Sequence, residues 1–177
     1  MKRPPFIISC DEVDEITGRY PSSDEALSHG RAIGKAAGLM KIGLHLERLE
    51  PGHRLSYPHA EEDEEEFVFV LEGEVDAWID GHLHSMKPGD LAAFPSGTGI
   101  CHTFINNSTA TVKLLAGGER SKSDSRILYP LNPERRQQMT CAEQSIGWML
   151  PSERADPRRK TRFAPRVAGS CSSGDRP

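Results

Sequence analysis

Residues 51–73 read PGHRLSYPHAEEDEEEFVFVLEG, and three features of this run set the reading of everything around it. A Pro51-Gly52 turn opens it, six consecutive acids (Glu61, Glu62, Asp63, Glu64, Glu65, Glu66) cross its middle, and an apolar strand, Phe67–Leu71, closes it before Gly73. An acid run by itself is usually a solvated loop. Here it abuts the strand, so its last member enters the sheet. With a period of two, Glu66 shares a face with Val68 and Val70, and Glu65 goes with Phe67, Phe69 and Leu71. One of the two carboxylates therefore points toward the core, where an ion needs a cation or several donors. His59 and Glu61, two apart, project from one face of any strand that carries them.

Outward from this run the texture is uniform. Ile42–Leu49, Arg54–Tyr57, Glu66–Glu72, Glu74–Ile79, His82–Met86, Leu91–Phe94, His102–Asn106 and Val112–Ala116 read as short strands, each bounded by glycine, proline or Asp/Asn. Asp80-Gly81 is a type I′ hairpin signal, because both central positions need positive φ. Pro88-Gly89 suits a type II turn. No stretch of helical period interrupts the series, and many short strands at near-regular spacing predict an all-β sandwich or barrel.

The flanks differ. Residues 1–35 are polar and turn-rich and predict an irregular N-terminal segment; 36–118 are the barrel. Residues 119–150 predict a C-terminal extension packed on it, with Asn132-Pro133 placed to start a short helix. Residues 151–177 are rich in Pro, Arg and Ser and predict a flexible, disordered basic tail.

Composition bounds the function. The chain has 177 residues, suited to one domain, and a formal net charge of −4. Residues 151–177 carry seven basic side chains and three acids, so the remaining 150 carry 15 basic and 23 acidic. A body that acidic repels phosphate backbones, which argues against a nucleic-acid partner. The longest apolar run is Phe67–Leu71, far below the ~18–20 residues of a membrane span. The N-terminus lacks the apolar stretch of a signal peptide, so the expectation is a soluble cytoplasmic protein. Cys10, Cys101, Cys141 and Cys171 form no Cys-x-x-Cys pair, against a zinc knuckle or a disulfide scaffold.

His102, which follows Pro95-Ser96-Gly97, shares a face with Phe104 and Asn106. Imidazole and carboxylate groups converging from separate strands inside a barrel would make a divalent-metal site with open positions. His82 and His84 start at a hairpin tip and read as solvated, and His29 and His53 read as surface. Cys101 faces away from His102, Trp78, Phe94 and Phe104 read as core, and the phase of His45 is open.

Gly52, His59, Glu61, Glu66 and Gly73 resemble the first motif of the cupin superfamily. Gly89, Pro95, Gly97, His102 and Asn106 resemble its second, and the 15 residues Glu74–Pro88 form a short connection as in small bacterial single-domain cupins. The resemblance implies a double-stranded β-helix (jelly-roll) barrel whose metal ligands fall on His59, Glu66 and His102. Glu61 stands where a second histidine is usual. If it ligates, two imidazoles and two carboxylates favour Fe(II) or Mn(II) over Cu or a structural Zn; if it faces solvent, a three-ligand facial site remains. The third alternative is that no metal binds and the motif is architecture only. The resemblance also suggests a homodimer, for which the face of Phe67, Phe69 and Leu71 is suited.

The functional expectation is one divalent metal (Fe, Mn or Zn) in an enzyme of oxygenase, isomerase or lyase type acting on a small polar molecule. The alternative is a non-catalytic barrel that binds or senses a sugar or organic acid. A regulatory role for the basic tail is a third reading. The fold hosts all of these.

Overall fold

A computed structural model of the chain describes residues 3–20, 23, 25–120 and 126–132. Its strands, in chain order, are β1 (Ile16–Arg19), β2 (Ala26–Arg31), β3 (Ile42–Leu49), β4 (Ala60–Glu61), β5 (Glu66–Glu72), β6 (Val75–Ile79), β7 (His82–Met86), β8 (Leu91–Phe94), β9 (His102–Ile105), β10 (Val112–Glu119) and β11 (Ile127–Leu128). A one-turn helix, α1 (Ile33–Ala36), and a 3-10 turn at Cys10–Glu12 are the helical elements among the described residues. All strand pairings are antiparallel.

The strands build a six-stranded sheet in the order β1-β2-β3-β10-β5-β8, a three-stranded sheet β7-β6-β9, and the short pair β11-β4. Alternation decides which side of each strand is dry. On β5, Glu66, Val68 and Val70 are buried while Leu71 is exposed, as the period of two requires. On β6, Val75 and Ala77 turn inward. These faces meet Leu49, Leu114, Ala116, Phe94 and Phe104 in one core, in which Leu49, Val70, Val112 and Leu114 have no exposed surface. The jelly-roll expectation stands.

Turns close where the backbone can take positive φ. Asp80 (φ 45°) and Gly81 (φ 92°) make the hairpin between β6 and β7. Gly73 (φ 80°) permits a closer approach still: a Cβ there would lie 3.0 Å from Val112 Cγ2. Asn106, fully buried, staples the corner after β9. Its Nδ2 donates to Leu49 O (2.9 Å) and Ala110 O (2.8 Å), and its Oδ1 accepts from the Ser108 amide (3.0 Å).

Two regions depart from the sequence reading. The N-terminal segment, expected to be irregular, supplies β1 and β2, and β2 extends the large sheet by pairing with β3. Their alternation is obscured by Gly18 and Gly30, which contribute no side chain to either face. Arg54–Tyr57, expected as a strand, makes a single bridge from Arg54 to Ile105 and then bends. It packs instead through side chains: Arg54 lies 4.5 Å over the Tyr57 ring and pairs with Glu25 (2.6 Å), and Tyr20 and Tyr57 stack at 3.7 Å. The helix expected to start at Asn132-Pro133 and the tail expected at 151–177 lie outside the described residues.

Candidate metal centre

The chain brings two distant histidines together by backbone pairing. His59 N–H donates to His102 O (3.1 Å) and His102 N–H donates to His59 O (2.9 Å), a closed antiparallel bridge. Residues directly opposite in such a pair present side chains on the same side. The rings lie 4.9 Å apart, both turned inward. Glu66, first residue of β5, reaches them from the facing sheet. Its Oε2 lies 3.1 Å from His102 Nε2 and 3.4 Å from His59 Nε2. One donor atom from each of His59, Glu66 and His102 lies within 4.8 Å of the others, and all three residues are buried. Phe94, opposite Glu66 in the sheet register, stacks flat on the His102 ring at 3.5 Å and 4° and fixes its plane.

The tautomers fit an ion. His59 Nδ1 meets Tyr57 O at 2.8 Å and His102 Nδ1 meets Ile100 O at 3.2 Å. Carbonyl oxygens only accept, so each Nδ1 carries a proton and donates it. Each neutral ring then aims the Nε2 lone pair at Glu66, the arrangement that second-shell carbonyls impose on metal-binding histidines. Without a cation, two lone pairs would face a carboxylate. In the ion-free protein a proton supplies the charge. Burial opposes a charged His59, but the Glu66 carboxylate outweighs it and lifts the ring to about 9. Burial likewise opposes the Glu66 carboxylate, and His59 and His102 overcome it and hold its pKa below the usual range. His102, desolvated and beside a cationic ring, is depressed. The extra proton on His59 therefore sits where a divalent ion would.

Glu61 is buried and its Oε1 lies 4.0 Å from His59 Nε2, outside the three-residue group. Burial, then the Glu66 charge, raises its pKa. It enters the barrel because β4 pairs with β11, matching Glu61 with Ile127. The same pairing brings the Tyr129 ring to 5.9 Å from His59.

His82 and His84 are exposed, as expected. His29 and His53, expected at the surface, are half-buried: His29 Nδ1 bonds Thr17 Oγ1 (2.9 Å) and His53 Nδ1 donates to Leu27 O (2.8 Å). Burial lifts the Cys101 thiol to about 12, which leaves it a poor ligand. His45 shares the inner face of β3 with Glu47 and Leu49.

Sequence reasoning missed Glu47 and Tyr129. Glu47 is 3% exposed and lines a small cavity with Leu55, Ser56, Phe104 and the three-residue group. Its phase with Leu49 was a usable signal, but Leu44 and Leu46 put apolar residues on the other face too. Nothing in the sequence placed Tyr129 beside His59.

The cupin domain family profile matches residues 45–117. No curated protein matches the sequence significantly. Among solved structures, a sugar phosphate isomerase of the cupin superfamily from Silicibacter pomeroyi is 31% identical, with a TM-score of 0.63 over 71% of this chain and 82% of its own. The polyketide cyclase RemF of Streptomyces resistomycificus (21% identity, TM-score 0.57, 82% of this chain and 98% of that one) shares the fold. A predicted oxalate decarboxylase of Thermotoga maritima shares it as well (19%, 0.54, 64% and 97%). The two motifs, the barrel that joins them, the family match and the 31% relative together make the chain a member of the cupin superfamily.

Proposed function

We propose that the protein is a divalent-metal-dependent cupin enzyme that isomerises a small hydroxy-carbonyl compound of the sugar phosphate class. One observation carries the metal part: the buried convergence of His59, Glu66 and His102 with both histidines held in the metal-binding tautomer. The substrate class rests on the relative from Silicibacter pomeroyi. In this reading the three residues hold the ion and Glu61 supplies a fourth ligand, a set of two nitrogens and two carboxylates that favours iron or manganese over zinc. A bound divalent ion would polarise the carbonyl and hydroxyl oxygens of the substrate and acidify the C–H of the hydroxyl-bearing carbon beside the carbonyl. Phe94 keeps His102 in plane, Tyr129 walls the site beside His59, and the cavity takes the reacting end of the molecule.

We further propose a homodimer through the outer face of the large sheet, where Leu44, Leu46, Leu115, Phe67 and Phe69 stand side by side in register. Light scattering of the purified chain tests it, and a monomeric mass at micromolar concentration removes it.

Elemental analysis of the protein beside a His59→Ala/His102→Ala variant tests the metal. About one iron or manganese per chain, absent from the variant, is expected. Equal metal content in the two proteins overturns the site. A panel of aldose and ketose phosphates tests the reaction. A loaded protein that binds members of the panel and converts none is a binding protein instead.

A further inference from the structure

The cavity that the metal centre lines holds a second buried polar group with no structural use for its burial. Glu47 projects from the inner face of β3 into the same cavity that His59, Glu66 and His102 line. It is 3% exposed, and its Oε2 makes no hydrogen bond. Its neighbours leave that oxygen free. Ser28 on β2 gives the carboxyl one hydrogen bond, and His45 Nδ1 stands 3.8 Å from Oε1, too far to bond. Leu114, opposite on β10, offers only hydrocarbon.

The backbone makes room for this carboxyl. Gly30 is the register partner of Glu47 on β2, and a Cβ there would fall 2.7 Å from Oε1 and 2.8 Å from Oε2. Any other residue at position 30 would push the carboxyl away. A buried acid with an unused oxygen destabilises the fold, since desolvation of an unpaired polar group costs roughly 1–3 kcal/mol. A position that serves packing alone would gain by becoming apolar.

We propose that Glu47 is a ligand-binding and proton-transferring residue of the cavity, acting on a substrate held beside the metal centre, with Gly30 as the residue that seats it. The proposal rests on the isomerase reading for its reaction and on the cavity geometry for its site. The step balances within the substrate. The Glu47 carboxylate takes the proton from the carbon beside the carbonyl; the C–H electron pair becomes the carbon–carbon double bond of the enediolate, and the carbonyl oxygen takes the charge. The resulting carboxylic acid returns the proton to the former carbonyl carbon, while the proton of the neighbouring hydroxyl passes to the former carbonyl oxygen. No oxidant or reductant enters, and Glu47 ends as it began. Its environment suits both forms: burial, opposed by the Ser28 hydrogen bond and aided by the Glu15 charge, lifts its pKa to about 7. His45 on its own strand and His59, Glu66 and His102 around the cavity are the other titratable groups that face it.

The test uses the full chain loaded with metal, as wild type, Glu47→Gln and Gly30→Ala. Expected for Glu47→Gln is unchanged metal content, a melting temperature no lower than wild type at pH 8, and a kcat on the aldose and ketose phosphates reduced by about 10²-fold or more. KM should move far less, and the pH-rate inflection near 7 should vanish. Gly30→Ala keeps every titratable group and should also lose kcat. Wild-type kcat in Glu47→Gln overturns the proposal. So does a variant that melts lower and loses metal, because Glu47 is then structural. If the wild type converts nothing on the panel, the isomerase reading falls separately. Glycolohydroxamate, which chelates metals and carries a hydroxyl, then decides: affinity at least tenfold weaker in Glu47→Ala upholds Glu47 as a ligand group, and equal affinity removes it.

Discussion

Leu49 and Glu47 are next neighbours on the same face of β3, and both are withdrawn from water. They belong to opposite ends of one barrel interior. Around Leu49 the packed side chains are mainly hydrocarbon, with Val70 and Val112 fully buried, and the buried amide there, Asn106, is fully bonded to backbone and Ser108. Toward His59, Glu66 and His102 the interior is also buried and carries further ionisable groups, Glu47 and Glu61 among them. Burial is equal at the two ends and its energetic sign is opposite. Hydrocarbon removed from water contributes about 25 cal/mol per Å², whereas a buried carboxyl must recover its lost hydration from partners. The first end holds the barrel shut, and the second is a cost that the first sustains.

The contrast can be broken from either side. The largest effect is expected at the polar end: His59→Ala/His102→Ala should lose its metal altogether while keeping the far-ultraviolet spectrum of a β protein. At the apolar end, Leu49→Ala should lose about 2–5 kcal/mol of stability by urea unfolding, yet bind metal normally at temperatures well below its melting point. A metal affinity that falls with Leu49→Ala would mean that the two ends are not separable. Glu61→Gln sharpens the boundary of the polar end. As a ligand or an immediate neighbour of one, Glu61 should weaken metal binding by about 10–100-fold on substitution, read by competition with a chelator.

Glu47 also marks the difference in the pH dependence of stability. Its folded pKa, about 7, lies above the unfolded carboxyl value, so it contributes stability below about pH 4.5 that is lost as the pH rises through 7. Glu47→Gln removes this slope. Its melting temperature relative to wild type should climb by roughly a few degrees between pH 5 and pH 8. A constant difference would place the Glu47 pKa at its ordinary value. The smallest effect is expected outside the barrel, where Arg126 spans Asp63 (3.0 Å) and Glu62 (2.6 Å) with its side chain 58% exposed. Arg126→Ala should cost about 0.2–1 kcal/mol, visible only in careful denaturant titrations.

Most of the apolar end was legible in the sequence, because period-two alternation bounded by turn residues specifies strands without knowledge of their partners. Ile42–Leu49, Glu66–Glu72, His82–Met86 and Leu91–Phe94 have in the structure the bounds that their pattern predicts. The pattern failed where residues lack side chains or interleave both faces. Gly18 and Gly30 hid β1 and β2, and Arg54–Tyr57 keeps its alternation while leaving the sheet. Within the candidate site, Glu66 was readable from its phase with Val68 and Val70. The phase of Glu47 with Leu49 hinted at its burial, but the room made for its carboxyl depends on its register partner, a glycine 17 positions earlier. Register partners of this kind are tertiary facts, and no local pattern encodes them.

The bridge between His59 and His102 has a consequence for how the centre is assembled in time. Its two backbone hydrogen bonds join residues 43 positions apart, and Glu66 comes from the other sheet. No short peptide of this chain holds the three donors together, so an ion has nothing to nucleate on early in folding. Long-range closure of this kind is slow and comes late. On the proposed reading the barrel forms first, with a proton on His59 as placeholder, and an ion would then enter a finished cage. Loading is thereby a reversible exchange of a cation for a proton, and the fold should outlast removal of its metal, unlike small domains that collapse only around theirs.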